Sequence, residues 1–275
     1  MLKKLLKYDL KSILKYWWIA ALSSFVLSFA GGWCITILNS EKVLPSAINV
    51  LAVLALILVA LSFAAFSILS IIFIFMRFYK NFFTDEGYLT FTLPVKRTQL
   101  LNAKLLSSGL TLIATGAVCI INILTMLCIG FADYIFDPSI WKDVVQTIKI
   151  VTDELGIYLY VYLFELVLLL LLCMVFSILF LFCCITFASI ITKRAKVLAS
   201  VGIYYVANGI FSFVIQIFYL FGIASLSNWL TGLPQGTEQP VAAFILLGVL
   251  FFIAMFCTLL YSLQYWMIDR KLNLS

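Results

Sequence analysis

The sequence contains no histidine. This removes the commonest general base and a frequent zinc ligand, and it counts against histidine-dependent proteolysis within a membrane. Charge is scarce too. Asp, Glu, Lys and Arg make up 11% of the 275 residues, where a soluble domain carries about a quarter. No Gly-x-x-x-x-Gly-Lys-Ser/Thr is present, so the chain cannot build a Walker-type phosphate cradle of its own. Nor does it contain a Cys-x-x-Cys pair. Cys34, Cys119, Cys128, Cys173, Cys183, Cys184 and Cys257 lie inside or at the ends of apolar runs, where cysteine acts as a small hydrophobe rather than as a disulfide or metal framework. Without a convergent acid–base cluster, the chain is expected not to be an enzyme. It is also expected to bind no cofactor or metal itself and to have no nucleic-acid partner.

What the sequence has in abundance is apolar surface, with 65% hydrophobic residues. A helix rises about 1.5 Å per residue, so about 20 apolar residues cross a hydrocarbon core of about 30 Å. Six runs qualify: 17–38, 48–76, 105–131, 156–192, 197–226 and 241–267. Backbone polarity in lipid makes each a helix. The fold expected is therefore all-α, a polytopic membrane protein with six transmembrane helices in one permease-like domain covering residues 1–275. Ser28-Phe29-Ala30 looks like a small-residue cleavage site, but the first run is too long for a signal core and is read as an uncleaved span.

Charge sets the orientation. Fifteen of the eighteen basic residues fall in the N-terminal segment, the second-to-third connection, the fourth-to-fifth connection and the tail. The other connections hold only Lys42, Lys142 and Lys149 beside seven acids. The positive-inside rule then places both termini in the cytoplasm of a bacterial cell membrane protein.

Residues 1–16 form an amphipathic pattern. Leu2, Leu5, Leu6, Leu10, Ile13, Leu14 and Trp17 recur at three- and four-residue steps, with Lys3, Lys4, Lys7, Lys11 and Lys15 on the other face. This predicts a basic helix in the inner interface, ending at Trp17. Residues 132–155 carry a second, external one. Asp137 can cap it and Pro138 suits its first position, and Trp141, Val144, Val145, Ile148, Val151 and Leu155 form one face.

Polar residues within the spans are few. Glu165 lies 28 residues before Lys193, about 42 Å along a helix, which predicts a fourth helix longer than the bilayer with Glu165 in or above the outer headgroups. Asn208 lies about 18 Å in from Lys196 and reads first as an interhelical hydrogen-bonding group and second as the lining of a path. Ala20, Ser24, Ser28 and Gly32 form an i+4 row, as do Ser107, Thr111, Thr115 and Cys119. Such rows let helices approach closely.

Between spans two and three, residues 77–104 are too polar for a span and too patterned for a turn. Thr84-Asp85-Glu86 reads as a helix start with a capping hydroxyl. Pro94 interrupts the helical pattern, which resumes at about Thr98. Glu86-Gly87-Tyr88-Leu89, then Leu93-Pro94-Val95-Lys96-Arg97, then Gln99-Leu100-Leu101 and Lys104 before a span, resemble the pattern in six-span permeases of ATP-binding-cassette exporters, relatives of drug, antimicrobial-peptide and polysaccharide exporters. Gly87-Tyr88 departs from the Gly-Thr often seen after that glutamate.

The resemblance implies a short coupling helix over Asp85–Leu93 that docks into a separate ATPase, with Asp85, Glu86, Tyr88, Leu89 and Arg97 as coupling residues. It implies two ATPase subunits, which would hold ATP and Mg, and a second permease copy or homologous permease. A path between the permeases, lined by the first, second and fifth spans, would bring in Phe66, Phe73, Asn208, Phe211 and Phe218. The expected function is thus export of an amphipathic peptide or hydrophobic small molecule. The readings set against it are an ion-coupled secondary transporter and a permease-like sensor or immunity protein without transport.

Overall fold

The computed structural model describes residues 2–40, 45–84, 87, 96–135, 137–192, 195–232, 234 and 237–270. The described residues are all-α. In chain order the helices are α1 (Leu2–Asn39), α2 (Ser46–Phe83), α3 (Arg97–Gly130), α4 (Ala132–Ile135), α5 (Pro138–Leu155), α6 (Tyr158–Ile191), α7 (Lys196–Thr231) and α8 (Glu238–Arg270). Six of them, α1, α2, α3, α6, α7 and α8, are long and apolar enough to cross a membrane, and the chain is a multi-pass membrane protein. Their positions match the six apolar runs. The lengths exceed what the bilayer needs: the 34 residues of α6 span about 51 Å.

One expectation about local structure changes. The basic N-terminal segment and the first span are one uninterrupted helix, α1, rather than two elements. Thr84 follows span two, and residues 85 and 86 of the helix start expected there lie outside the described residues. The Thr84 hydroxyl donates back to the Lys80 carbonyl at 2.5 Å and so closes α2. The Thr84 carbonyl then accepts from the Gly87 N–H at 2.7 Å. A Cβ on Gly87 would lie 2.8 Å from the Phe82 carbonyl oxygen, so this close return needs glycine.

The external helix begins as its sequence predicts. Pro138 opens α5, and the Asp137 carboxylate accepts from the Ser139 N–H at 2.9 Å. The Ser139 backbone and side-chain hydrogen bonds hold the Asp137 carboxyl below its ordinary value. Gly156, at φ +51°, ends the helix in the left-handed conformation, its N–H bonded to the Thr152 carbonyl at 2.9 Å. None of the α5 residues is buried, so its apolar stripe is left uncovered by protein.

The chain divides into two compact units, Met1–Phe78 with Asn102–Ile150, and Tyr79–Leu101 with Val151–Ser275. In the first, α1 packs on α2 and α3 through small and hydroxyl residues. The Trp17 indole N–H lies 3.1 Å from both the Ser70 and the Thr115 hydroxyl oxygens, and its ring packs 5.6 Å from that of Phe66. Farther along, Asn122 donates to Ser24 at 3.0 Å, and the Ser28 and Thr125 hydroxyls are 3.2 Å apart. A Cβ on Gly32 would meet the Ile129 Cβ at 2.6 Å. The small-residue rows therefore do bring these helices close. In the second unit α6 packs against both α7 and α8. Phe176 stacks on Phe211 at 5.2 Å, and Gln264 donates to the buried Thr186 hydroxyl at 2.8 Å.

Candidate functional site

Three features of the fold carry chemistry that packing alone does not require. The first is an ionic knot on the helices that flank the polar segment after span two. Asp9 is 4% exposed. Its Oδ1 accepts from Lys104 Nζ at 2.5 Å and from Arg77 Nε at 3.1 Å, with Arg77 Nη2 also at 3.1 Å. Lys104 is buried, while the Arg77 side chain keeps 24% of its surface. Arg77 stands seven residues before Thr84 on α2, and Lys104 seven residues after Arg97 on α3. One carboxylate on α1 therefore ties together the two helices that deliver and receive the segment. Taking three charges from water is costly unless they meet, and here two cations meet one carboxylate.

Asp9 was not among the residues the sequence singled out. The signal was present, though. It continues the row Ile13, Trp17, Ala21, every member of which is buried, and it is the one acid of the N-terminal segment. An acid on the apolar stripe rather than on the lysine face requires a buried partner.

The second feature lies at Arg97. Its guanidinium donates to Asp269 Oδ1 at 2.7 Å and to the Asp269 carbonyl at 2.9 Å, with the Ile268 carbonyl at 3.4 Å. A cation thus sits on the terminal carbonyls of α8, where the helix dipole favours it. The expected coupling residue Arg97 anchors the start of α3 to the end of the sixth span. The other coupling residues expected, Asp85, Glu86, Tyr88 and Leu89, and the coupling helix itself, lie outside the described residues.

The third is a polar stripe on α7. Asn208, Ser212 and Gln216 recur at four-residue steps, and all three are exposed. Tyr205 and Tyr219 extend the stripe at 70% and 64% exposure. It runs beside the face where Tyr204 and Phe211 pack on the α6 ring Phe180, at 6.0 and 6.1 Å. Amide side chains facing hydrocarbon leave their donors and acceptors unmatched, so this face is made for something more polar than lipid tails.

Phe218 is exposed on α7. Phe211 is committed to the ring stack with Phe176, and Phe66 is buried against Trp17. Phe73 packs on that same core cluster. Of the interfacial-helix residues, Lys3, Lys4, Lys7 and Lys11 are exposed, whereas Trp17 is buried at 2% and belongs to the helix packing. Among the described residues, no group of His, Cys, Asp and Glu could hold a metal ion. No family model, curated protein or solved structure matches the chain, so the roles of these residues rest on geometry and chemistry alone.

Proposed function

We propose that the chain is the membrane-spanning permease subunit of an ATP-driven exporter, pairing with a second permease and with two separate ATPase subunits. Its cargo on this reading is an amphipathic peptide or a hydrophobic small molecule. The observation that carries the reading is the exposed Asn208–Ser212–Gln216 stripe on the fifth span. An exposed polar face in a membrane helix calls for a partner helix or a water-containing path, and a path between two permeases supplies both. The Asp9–Arg77–Lys104 knot supports the coupling half of the proposal. A push on the segment between α2 and α3 would reach α1 through buried, short contacts rather than dissipate in a loose connection.

Cysteine accessibility tests the path. In a background without native cysteines, Asn208→Cys, Ser212→Cys and Gln216→Cys should react with a membrane-impermeant maleimide, and the reaction should change when ATP is supplied to the assembled complex. Ile210→Cys, exposed at 62% away from the stripe, should stay unreactive. Equal protection of all four positions would remove the path from α7.

An ion-coupled carrier is the competing reading, and the burial of Glu165 inside α6 at 3% exposure is what favours it. Cargo movement that tracks a proton gradient and persists without ATP would decide for it.

A further inference from the structure

Glu165 is the one acid of α6, and it is buried beside apolar residues of α6 and α8. It is 3% exposed, and neither carboxylate oxygen has a hydrogen-bond partner among the described residues. It lines a cavity of about 310 Å³ between α6 and α8. Apart from Glu165 and the ring of Tyr162, the wall is leucine, including Leu166 and Leu169 from α6 and Leu246 and Leu250 from α8. Sites for small molecules span about 300–1,000 Å³, with apolar walls and a few polar groups that fix orientation. Leu163, Leu166 and Leu246 keep 52%, 51% and 37% of their surface, so the rim opens on the outside of the helix pair.

The chemistry of the wall selects the ligand. One carboxylate without a second oxygen-rich side chain is too poor a donor set for a divalent cation. Its empty acceptor positions ask for N–H donors, and its charge asks for a cation. The leucines ask for an alkyl body. Tyr162 adds a ring face suited to an ammonium, and its hydroxyl is already held by the Gln239 carbonyl at 2.8 Å, which fixes that ring between the two helices.

We propose that this cavity binds an amphipathic primary amine, with the ammonium group on Glu165 and the alkyl chain along the leucines of α6 and α8. The site stands apart from the exporter reading, since it requires only α6 and α8 of a single chain.

The test uses the full chain in phosphatidylcholine nanodiscs and radiolabelled dodecylamine as the probe. The wild type should show a saturable component of about one dodecylamine per chain, and dodecanol should show none. Glu165→Gln, which keeps the volume, should weaken that component at least tenfold. Leu246→Trp, which fills the cavity from its rim, should do the same. Saturable binding unchanged in Glu165→Gln, or matched by dodecanol, would overturn the proposal. If either variant fails to assemble as a monodisperse protein, the other still decides. Discs containing phosphatidylethanolamine identify the source of the amine. Loss of dodecylamine binding there assigns the site to a lipid headgroup, and retained binding assigns it to a free amphiphile.

Discussion

Asp9 sets the terms at the scale of single residues. Removing one member of a buried charge cluster takes a short ionic contact from each of its partners, and breaking a buried pair in this way costs about 3–5 kcal/mol. Asp9→Leu is therefore expected to lower resistance to denaturation in detergent by that order. Adding Lys104→Met should restore part of the loss, because the buried ammonium goes with the carboxylate it faces. A double-mutant cycle read by unfolding checks this, and simple additivity would contradict it. The residue scale is also where the sequence was hardest to read. The amphipathic stripe around Asp9 was plain in the spacing, but its partners Arg77 and Lys104 lie 68 and 95 positions away. Nothing local distinguishes those two cations from the lysines that face water. Trp17 shows the same limit: its place at a helix boundary fits an interfacial anchor, yet its indole lies within reach of two hydroxyls on two other spans. Asn208 was visible as an amide in an apolar run. Four-residue spacing extends its stripe to Ser212 and Gln216, but whether that face is covered depends on how α7 packs.

At the scale of helices, close approach and capping give two further expectations. A methyl at Gly32 would press the Ile129 Cβ at 2.6 Å. Overpacking of this kind costs about 1–3 kcal/mol, so Gly32→Ala should destabilise the first unit by that amount. Gly209→Ala, where a Cβ meets nothing within 4 Å, should be neutral or mildly favourable to α7, since alanine is the better helix former. Thermal denaturation of the two variants side by side reads the contrast. The second expectation concerns Asp137, whose carboxyl is held low by the Ser139 backbone and hydroxyl hydrogen bonds. A carboxyl depressed on folding contributes stability above its ordinary value of 3.8 and loses it as pH falls through the folded value. Asp137→Ala should therefore speed amide exchange in the first turn of α5 at neutral pH. Wild type and variant should converge once the pH lies well below 3.8. Helices were the most legible level, because six apolar runs and a capped amphipathic stretch are written locally. Their ends were less so. Thr84 carries a hydroxyl ahead of two acids, the pattern of a helix start, and it also stands just past the end of α2. Its bond to Lys80 behind it depends on α2 continuing to Phe83, past the last strongly apolar residues.

For the whole molecule, the proposed coupling rests on a segment that physical chemistry describes only as patterned and polar. The structure adds the fittings on either side of it: the Thr84 closure and Gly87 return, the Arg97 anchor on α8, and the knot at Asp9. The measurement that meets the central claim most directly is co-purification of the tagged full chain from its native membrane, with Glu86→Arg plus Leu89→Asp as the matched variant. The account predicts that the wild type brings down a protein with a Walker-type nucleotide site, two copies for two permeases. It also predicts that the variant reaches the membrane in equal amount and loses that partner. A variant that keeps the ATPase, or a wild type that carries none and still moves its cargo, would contradict it.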